Sequence, residues 1–146
     1  MILVTGRDFS IDEAISGLQR RETGAVVMFL GVVRGTSGRR KVTKLEFEAD
    51  RGAATTRLKE LRHEAIRRFG IQDAAIIHRI GTLGVSEKIV LIAVAGSHRR
   101  ESFAACRYII EELKRSVPIW KKEYGGRGWA RWVPAIGGPV RGVRIR

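Results

Sequence analysis

The run Gly24 to Val33 (GAVVMFLGVV) is uncharged, almost continuously apolar and rich in β-branched residues. A strand with one wet face alternates apolar and polar side chains. An unbroken apolar run instead fits a strand covered on both faces. The run is also far short of the ~20 apolar residues that cross a bilayer. It therefore predicts a central buried strand, and the rest of the chain must supply a layer on each side of it.

Those layers are legible in the flanking sequence. Met1 to Thr5 predicts a short edge strand. Ser10-Ile11-Asp12-Glu13 is a capping-box pattern that opens a short helix to about Arg20. Arg34 to Lys41 (RGTSGRRK) reads as a mobile loop. Val42 to Ala49 alternates, with Leu45, Phe47 and Ala49 directed inward. Asp50 caps a longer helix in which Ala54, Leu58, Leu61, Ala65 and Phe69 recur at helical spacing, and Gly70 ends it. Ala74–Ile80 and Lys88–Ala95 predict two strands joined by a turn containing Gly81 and Gly84. Ser97 to Ser116 predicts a loop and then a helix. A last hairpin, Ile119–Tyr124 and Trp129–Val133, turns at Gly125-Gly126-Arg127-Gly128. Strands and helices intermingle, which makes the class α+β. One catalytic domain is expected over 1–136, with a flexible, basic, Gly- and Arg-rich tail at 137–146.

At 146 residues, with 44% hydrophobic and 29% charged side chains, the chain has enough apolar material for one globular core and is not disordered. No signal peptide or membrane span is apparent, and a lone cysteine suits a reducing compartment, so a cytoplasmic protein is expected. The net charge of +13 points to anionic partners. A basic RNA-binding module is the alternative reading. Its only support is charge, since aromatics are 7% and no strand shows a paired stacking platform. His63 and His78 have no Cys, Asp or Glu at metal spacing, so neither a metal nor a cofactor is expected.

Candidate chemistry centres on Leu113 to Glu123 (LKRSVPIWKKE). Proline lacks an N–H and pushes the residue before it out of helical space. The helix should stop near Ser116 or Val117, leaving Lys114 on its last turn and Lys121 on the departing strand. With Phe103 as origin of the helical wheel, Lys114 falls about 20° away, at the edge of the apolar stripe. Partial desolvation there is expected to lower its pKa and favour a reactive amine. Strand alternation puts Lys121 and Glu123 on one face and Trp120 and Lys122 on the other. Gly96 to Arg100 leads from a strand into a helix, so backbone N–H groups, His98 and Arg99 surround a natural anion position. Arg34, closing the apolar strand, is a further anion ligand. Cys106 falls on the apolar face and is expected to be buried and inert.

Together these segments resemble the large catalytic subunit family of molybdopterin synthase. The resemblance rests on GAVVMFLGVVRG at 24–35, HRIG at 78–81, SHR at 97–99 followed by Phe103 and Ala104, and LKRSVPIWKKE at 113–123. It implies an α/β hammerhead fold with mixed and antiparallel sheets and a small extra β subdomain. It also implies a homodimer at the centre of a heterotetramer. Each end would bind a small ubiquitin-like subunit whose Gly-Gly C-terminus carries a thiocarboxylate. Sulfur would pass from that carrier to cyclic pyranopterin monophosphate. The resemblance assigns Lys114 and Lys121 to the catalytic lysines. It assigns Arg34, His98 and Arg99 to substrate binding, with Lys122 and Glu123 as further site positions.

Overall fold

The computed structural model describes residues 1–133, and the tail predicted at 137–146 lies outside the described residues, as does the domain boundary at 136. Two sheets share the chain. The first has the order β1 (Ile2–Thr5), β5 (Asp73–Arg79), β7 (Lys88–Gly96), β2 (Ala25–Val32). It is mixed, because β1 runs parallel to β5 while β5–β7 and β7–β2 are antiparallel. The second joins β3 (Thr36–Ser37), β4 (Arg40–Ala49), β8 (Ile119–Gly125) and β9 (Ala130–Val133), with β6 (Gly81–Gly84) also paired to β4. Mixed and antiparallel sheets with intermingled helices match the α+β expectation.

Helices α2 (Arg51–Phe69) and α3 (Arg99–Ser116) cover one face of the first sheet. In α2 the Asp50 carboxylate accepts from the Ala53 N–H at 3.1 Å, and Gly70 closes the helix at φ 68°. Ala54, Leu58, Leu61 and Ala65 are fully buried, as their spacing requires. Each leucine contributes roughly 1.5–3 kcal/mol by leaving water. The Ser10 cap forms, its hydroxyl accepting from the Glu13 N–H at 3.2 Å, but α1 (Ile11–Ser16) stops at a Gly17 cap, short of the expected Arg20.

That short helix corrects the expectation for the apolar run. The doubly covered strands are β5 and β7. Alternate residues of β5 and β7, such as Ile76 and Ile92, face α2 and α3, while Ala75, Ile77, Leu91 and Ala93 face α1. Strand β2 is instead an edge strand, and Met28, Phe29, Leu30 and Val32 are exposed. A six-residue α1 cannot reach across the whole sheet face. The apolar run recorded that β2 is meant to be covered, but not by what. The predicted Gly81–Gly84 turn is also corrected, because it straightens into β6 and pairs with Lys44 to Phe47 of β4.

The two sheets meet at His78 of β5 and Phe47 of β4, whose rings pack edge to face at 5.2 Å. The His78 Nδ1 lies 2.6 Å from the Arg79 carbonyl, which can only accept, so Nδ1 carries the proton of the neutral ring. Burial pushes its pKa down to about 4 from an ordinary 6.5. The unfolded chain therefore takes up this proton first as pH falls. Stability is undiminished above pH 6.5, declines from there, and bottoms out below about pH 4. The full effect is about 3 kcal/mol. His78→Gln is expected to flatten that part of the acid limb in denaturant titrations taken at a series of pH values. An unchanged slope between pH 6.5 and 4 would assign the limb to the carboxylates.

Candidate active site

The proline turn forms as expected. Helix α3 runs to Ser116, and the Val117 N–H still reaches the Leu113 carbonyl at 3.1 Å. Val117 itself is extended, and β8 begins at Ile119. Lys114 therefore stands at the foot of α3, and Lys121 on β8 lies between Phe47 of β4 and Val133 of β9.

The desolvated amine is Lys121, not Lys114. Phe103, the origin of the wheel argument, is 62% exposed, and the buried stripe of α3 is Ser102, Ala105, Cys106, Ile109 and Leu113. The stripe is thus turned away from Phe103, and Lys114 lies exposed. Lys121 is half-buried, and its pKa is lowered from 10.5, first by burial. Lys114, Arg34 and Arg131 repel the same proton, and Glu123 alone opposes them. Four cations and one carboxylate are thereby gathered at one place.

Glu123 is 5% exposed and pairs with the Arg131 Nε at 3.3 Å, the two being register partners on β8 and β9. The same guanidinium donates through Nη2 to the Ser37 hydroxyl at 3.2 Å. The Arg34 Nε donates to the Thr36 carbonyl at 3.0 Å. The segment read as a mobile loop is thus a short hairpin, β3 to β4, held by one arginine on each side. Arg131 and Ser37 were not among the sequence candidates. Register could have found Arg131, since a hairpin turning at 125–128 sets it opposite Glu123.

Lys122 points away, as alternation requires. Its ammonium lies over Tyr124 at 5.1 Å and Trp132 at 5.6 Å, and Lys44 also covers the Tyr124 ring, at 4.7 Å. This face does group aromatic residues, but their rings already carry the chain's own ammonium groups.

His98 and Arg99 stand apart from the lysines. Fifteen helical steps separate Arg99 from Lys114, about 22 Å along α3. Their junction is tight. Gly24 lies against the Ser97 carbonyl and Gly96 against the Ser102 hydroxyl, where a Cβ on either glycine would clash. Part of the expected anion position is taken by the chain itself, because Glu101 accepts from the His98 N–H at 2.8 Å and sits 3.3 Å from the His98 Nδ1. Both His98 and Arg99 remain exposed.

Cys106 is buried against β7, and burial pushes its thiol up to about 11. Among the described residues no group of three His, Cys, Asp or Glu side chains is placed to hold a metal. An open cleft of about 530 Å³, lined by Gly6, Phe47, Arg51 and Thr82, includes neither lysine. Chemically, the Lys121 cluster can bind an anion, polarise a carbonyl, or present a partly neutral amine.

The chain as a whole is similar to known proteins. The molybdopterin synthase catalytic subunit of Pyrococcus abyssi is 46% identical over 121 residues, covering 83% of this chain and 82% of that protein. The crystal structure of molybdopterin synthase from Staphylococcus aureus superposes with a TM-score of 0.85 at 34% identity, over 90% of this chain and 95% of that one. A Helicobacter pylori chain, from a complex of subunits 1 and 2 of molybdopterin-converting factor, shares the fold at a TM-score of 0.72 and 19% identity, over 96% and 95%. The MoaE protein family profile matches residues 4–116, from β1 to the end of the helix that bears Lys114, and with these relatives it shows that the chain belongs to the MoaE protein family.

Proposed function

We propose that this chain is the catalytic subunit of a molybdopterin synthase. It transfers sulfur from the thiocarboxylated C-terminus of a small ubiquitin-like carrier to cyclic pyranopterin monophosphate, forming the molybdopterin dithiolene. The observation that carries this reading is the gathering of Lys114, Arg34 and the buried carboxylate of Glu123 around Lys121, in a chain of this family. An extended Gly-Gly tail brings its acyl end to the two lysines, because glycine has no side chain to clash in a narrow approach. There the thiocarboxylate sulfur bonds to a pterin carbon, and Lys121 polarises the acyl carbonyl. Water then cleaves the acyl–sulfur bond, leaving the sulfur on the pterin and a carboxylate on the carrier, with Lys114 beside it as general acid. Arg34 holds the anionic pterin. The basic RNA-binding alternative finds no support among the similar proteins.

The separation of His98 and Arg99 from the lysines bears on assembly. The exposed apolar edge of β2, with Phe103 beside it on α3, is a surface that a second copy of the chain would cover. In a twofold dimer His98 and Arg99 then complete the site of the other protomer, each site taking its lysines from one chain and its phosphate ligands from the next. No helix of the described residues is long and apolar enough to cross a membrane. We place the reaction in the cytoplasm, where the buried thiol stays reduced.

The direct test mixes the protein with a thiocarboxylated carrier and the pterin precursor and measures dithiolene formation. Product is expected only with the carrier present, and a carrier lacking its two terminal glycines should support none. Full turnover with the truncated carrier would exclude insertion of the tail. Turnover with no carrier at all would exclude the sulfur-transfer reading.

A further inference from the structure

Arg131 has no place in the reading above, yet it joins two parts of the site. Its Nε meets the Glu123 carboxylate at 3.3 Å and its Nη2 meets the Ser37 hydroxyl at 3.2 Å. Glu123 is buried, and a buried carboxylate must find a partner. Two are within reach of its strand face, Lys121 two residues back and Arg131 across the ladder. Among the described residues the ion pair is made with Arg131 and not with Lys121. A guanidinium suits this because its planar fork can hold two acceptors at fixed angles.

We propose that Arg131 is a positioning residue of the active site: it holds the Glu123 carboxylate out of an ion pair with Lys121 and pins the β3 hairpin beside Arg34. The inference rests on the sulfur-transfer reading. With Glu123 paired to Arg131, the half-buried Lys121 amine makes no ion pair with it and feels it only at longer range, so the amine can face the substrate. With Ser37 tethered, the hairpin that takes the Arg34 hydrogen bond at Thr36 holds one position. The groups facing Lys121 are Glu123 on its own strand, Arg131 on β9, Lys114 on α3 and Arg34 beyond β2. From β4 its neighbours on that face are the apolar Leu45 and Phe47, while Lys44, Glu46 and Glu48 lie on the opposite face.

Removing Arg131 changes Lys121 in one direction twice over. A repelling cation is lost, and Glu123 is released to pair with the ammonium. Both raise the pH at which Lys121 gives up its proton. The limb of the pH–rate profile that reports Lys121 therefore moves to higher pH, whether the working form is the amine or the ammonium.

The test is single-turnover dithiolene formation with saturating carrier across pH, for the intact protein, Arg131→Gln, Arg131→Lys and Arg131→Gln/Glu123→Gln. Arg131→Gln should move the limb up by roughly one pH unit. The double variant should move it back, because the released carboxylate is gone. Arg131→Lys keeps the charge but not the fork. It should leave the limb near its original place and raise the pterin KM severalfold as the Ser37 tether is lost. A limb unmoved in Arg131→Gln overturns the proposal. If that variant does not fold, Arg131→Lys decides, and a wild-type KM there overturns it. Lys121→Ala run alongside separates the two readings. Retained turnover in it would sink the sulfur-transfer reading, whereas lost turnover with an unmoved Arg131→Gln limb sinks this inference alone.

Discussion

Lys121→Ala is expected to lower dithiolene turnover about 10²- to 10⁴-fold, the usual contribution of a positioned acid, base or amine. Fold and carrier binding should survive. The side chain is only half-buried, and its β8 backbone is held on both sides by β4 and β9. The size of the loss follows from environment. Burial comes first in lowering the Lys121 pKa, and three cations add to it, so more of this amine is neutral near pH 7 than of an ordinary lysine. Lys114→Ala is expected to be comparably severe through position, since it stands beside Lys121 at the foot of α3. Single-turnover assays on folded variants, with carrier binding measured separately, check both. Turnover within a few-fold of the intact protein would remove that lysine from the mechanism.

Mixed dimers should restore activity that neither parent has. Lys121→Ala and Arg99→Ala are each expected to be nearly inactive. When they are denatured together and refolded, half of the dimers pair one chain of each kind. In such a dimer one site unites the intact lysines of one chain with the intact Arg99 of the other, and the second site carries both defects. About a quarter of the full activity should therefore return. A same-chain site would return none. The prediction depends on the roughly 22 Å between Arg99 and Lys114 along one helix. No return of activity from dimers shown to be mixed would place both ends of α3 outside a shared site.

Where the sequence was easy to read, one physical rule acted alone. The α2 boundaries follow from Asp50 and Gly70, and the inward face of β4 follows from alternation at Leu45 and Phe47. Reading failed where two layers competed. The apolar content of β2 is real, but its cover is not among the described residues, so it looked central and lies at an edge. Phe103 misled for the same reason, and the wheel centred on it put desolvation at Lys114 instead of Lys121. The lysine motif was visible because Pro118 forces the helix-to-strand change that gathers Lys114 and Lys121. Alternation correctly set Lys122 apart. The capping of His98 by Glu101 could have been anticipated from their three-residue spacing, as could the distance from Arg99 to the lysines from the helix length. Arg131 needed the hairpin register, which motif reading does not supply.

The inert Cys106 sets the stoichiometry of the reaction. It is the chain's only cysteine, it lies on the buried face of α3, and burial pushes its thiol up to about 11. The chain thus has no place to park a sulfur atom as a persulfide between steps. A dithiolene contains two sulfurs. Each must arrive on its own carrier, so two carriers are consumed per product, and the half-sulfurated pterin has to stay bound while the first spent tail leaves and the second enters. On the proposed reading, retention of that intermediate falls to Arg34 and Arg99, while the lysines act once on each tail.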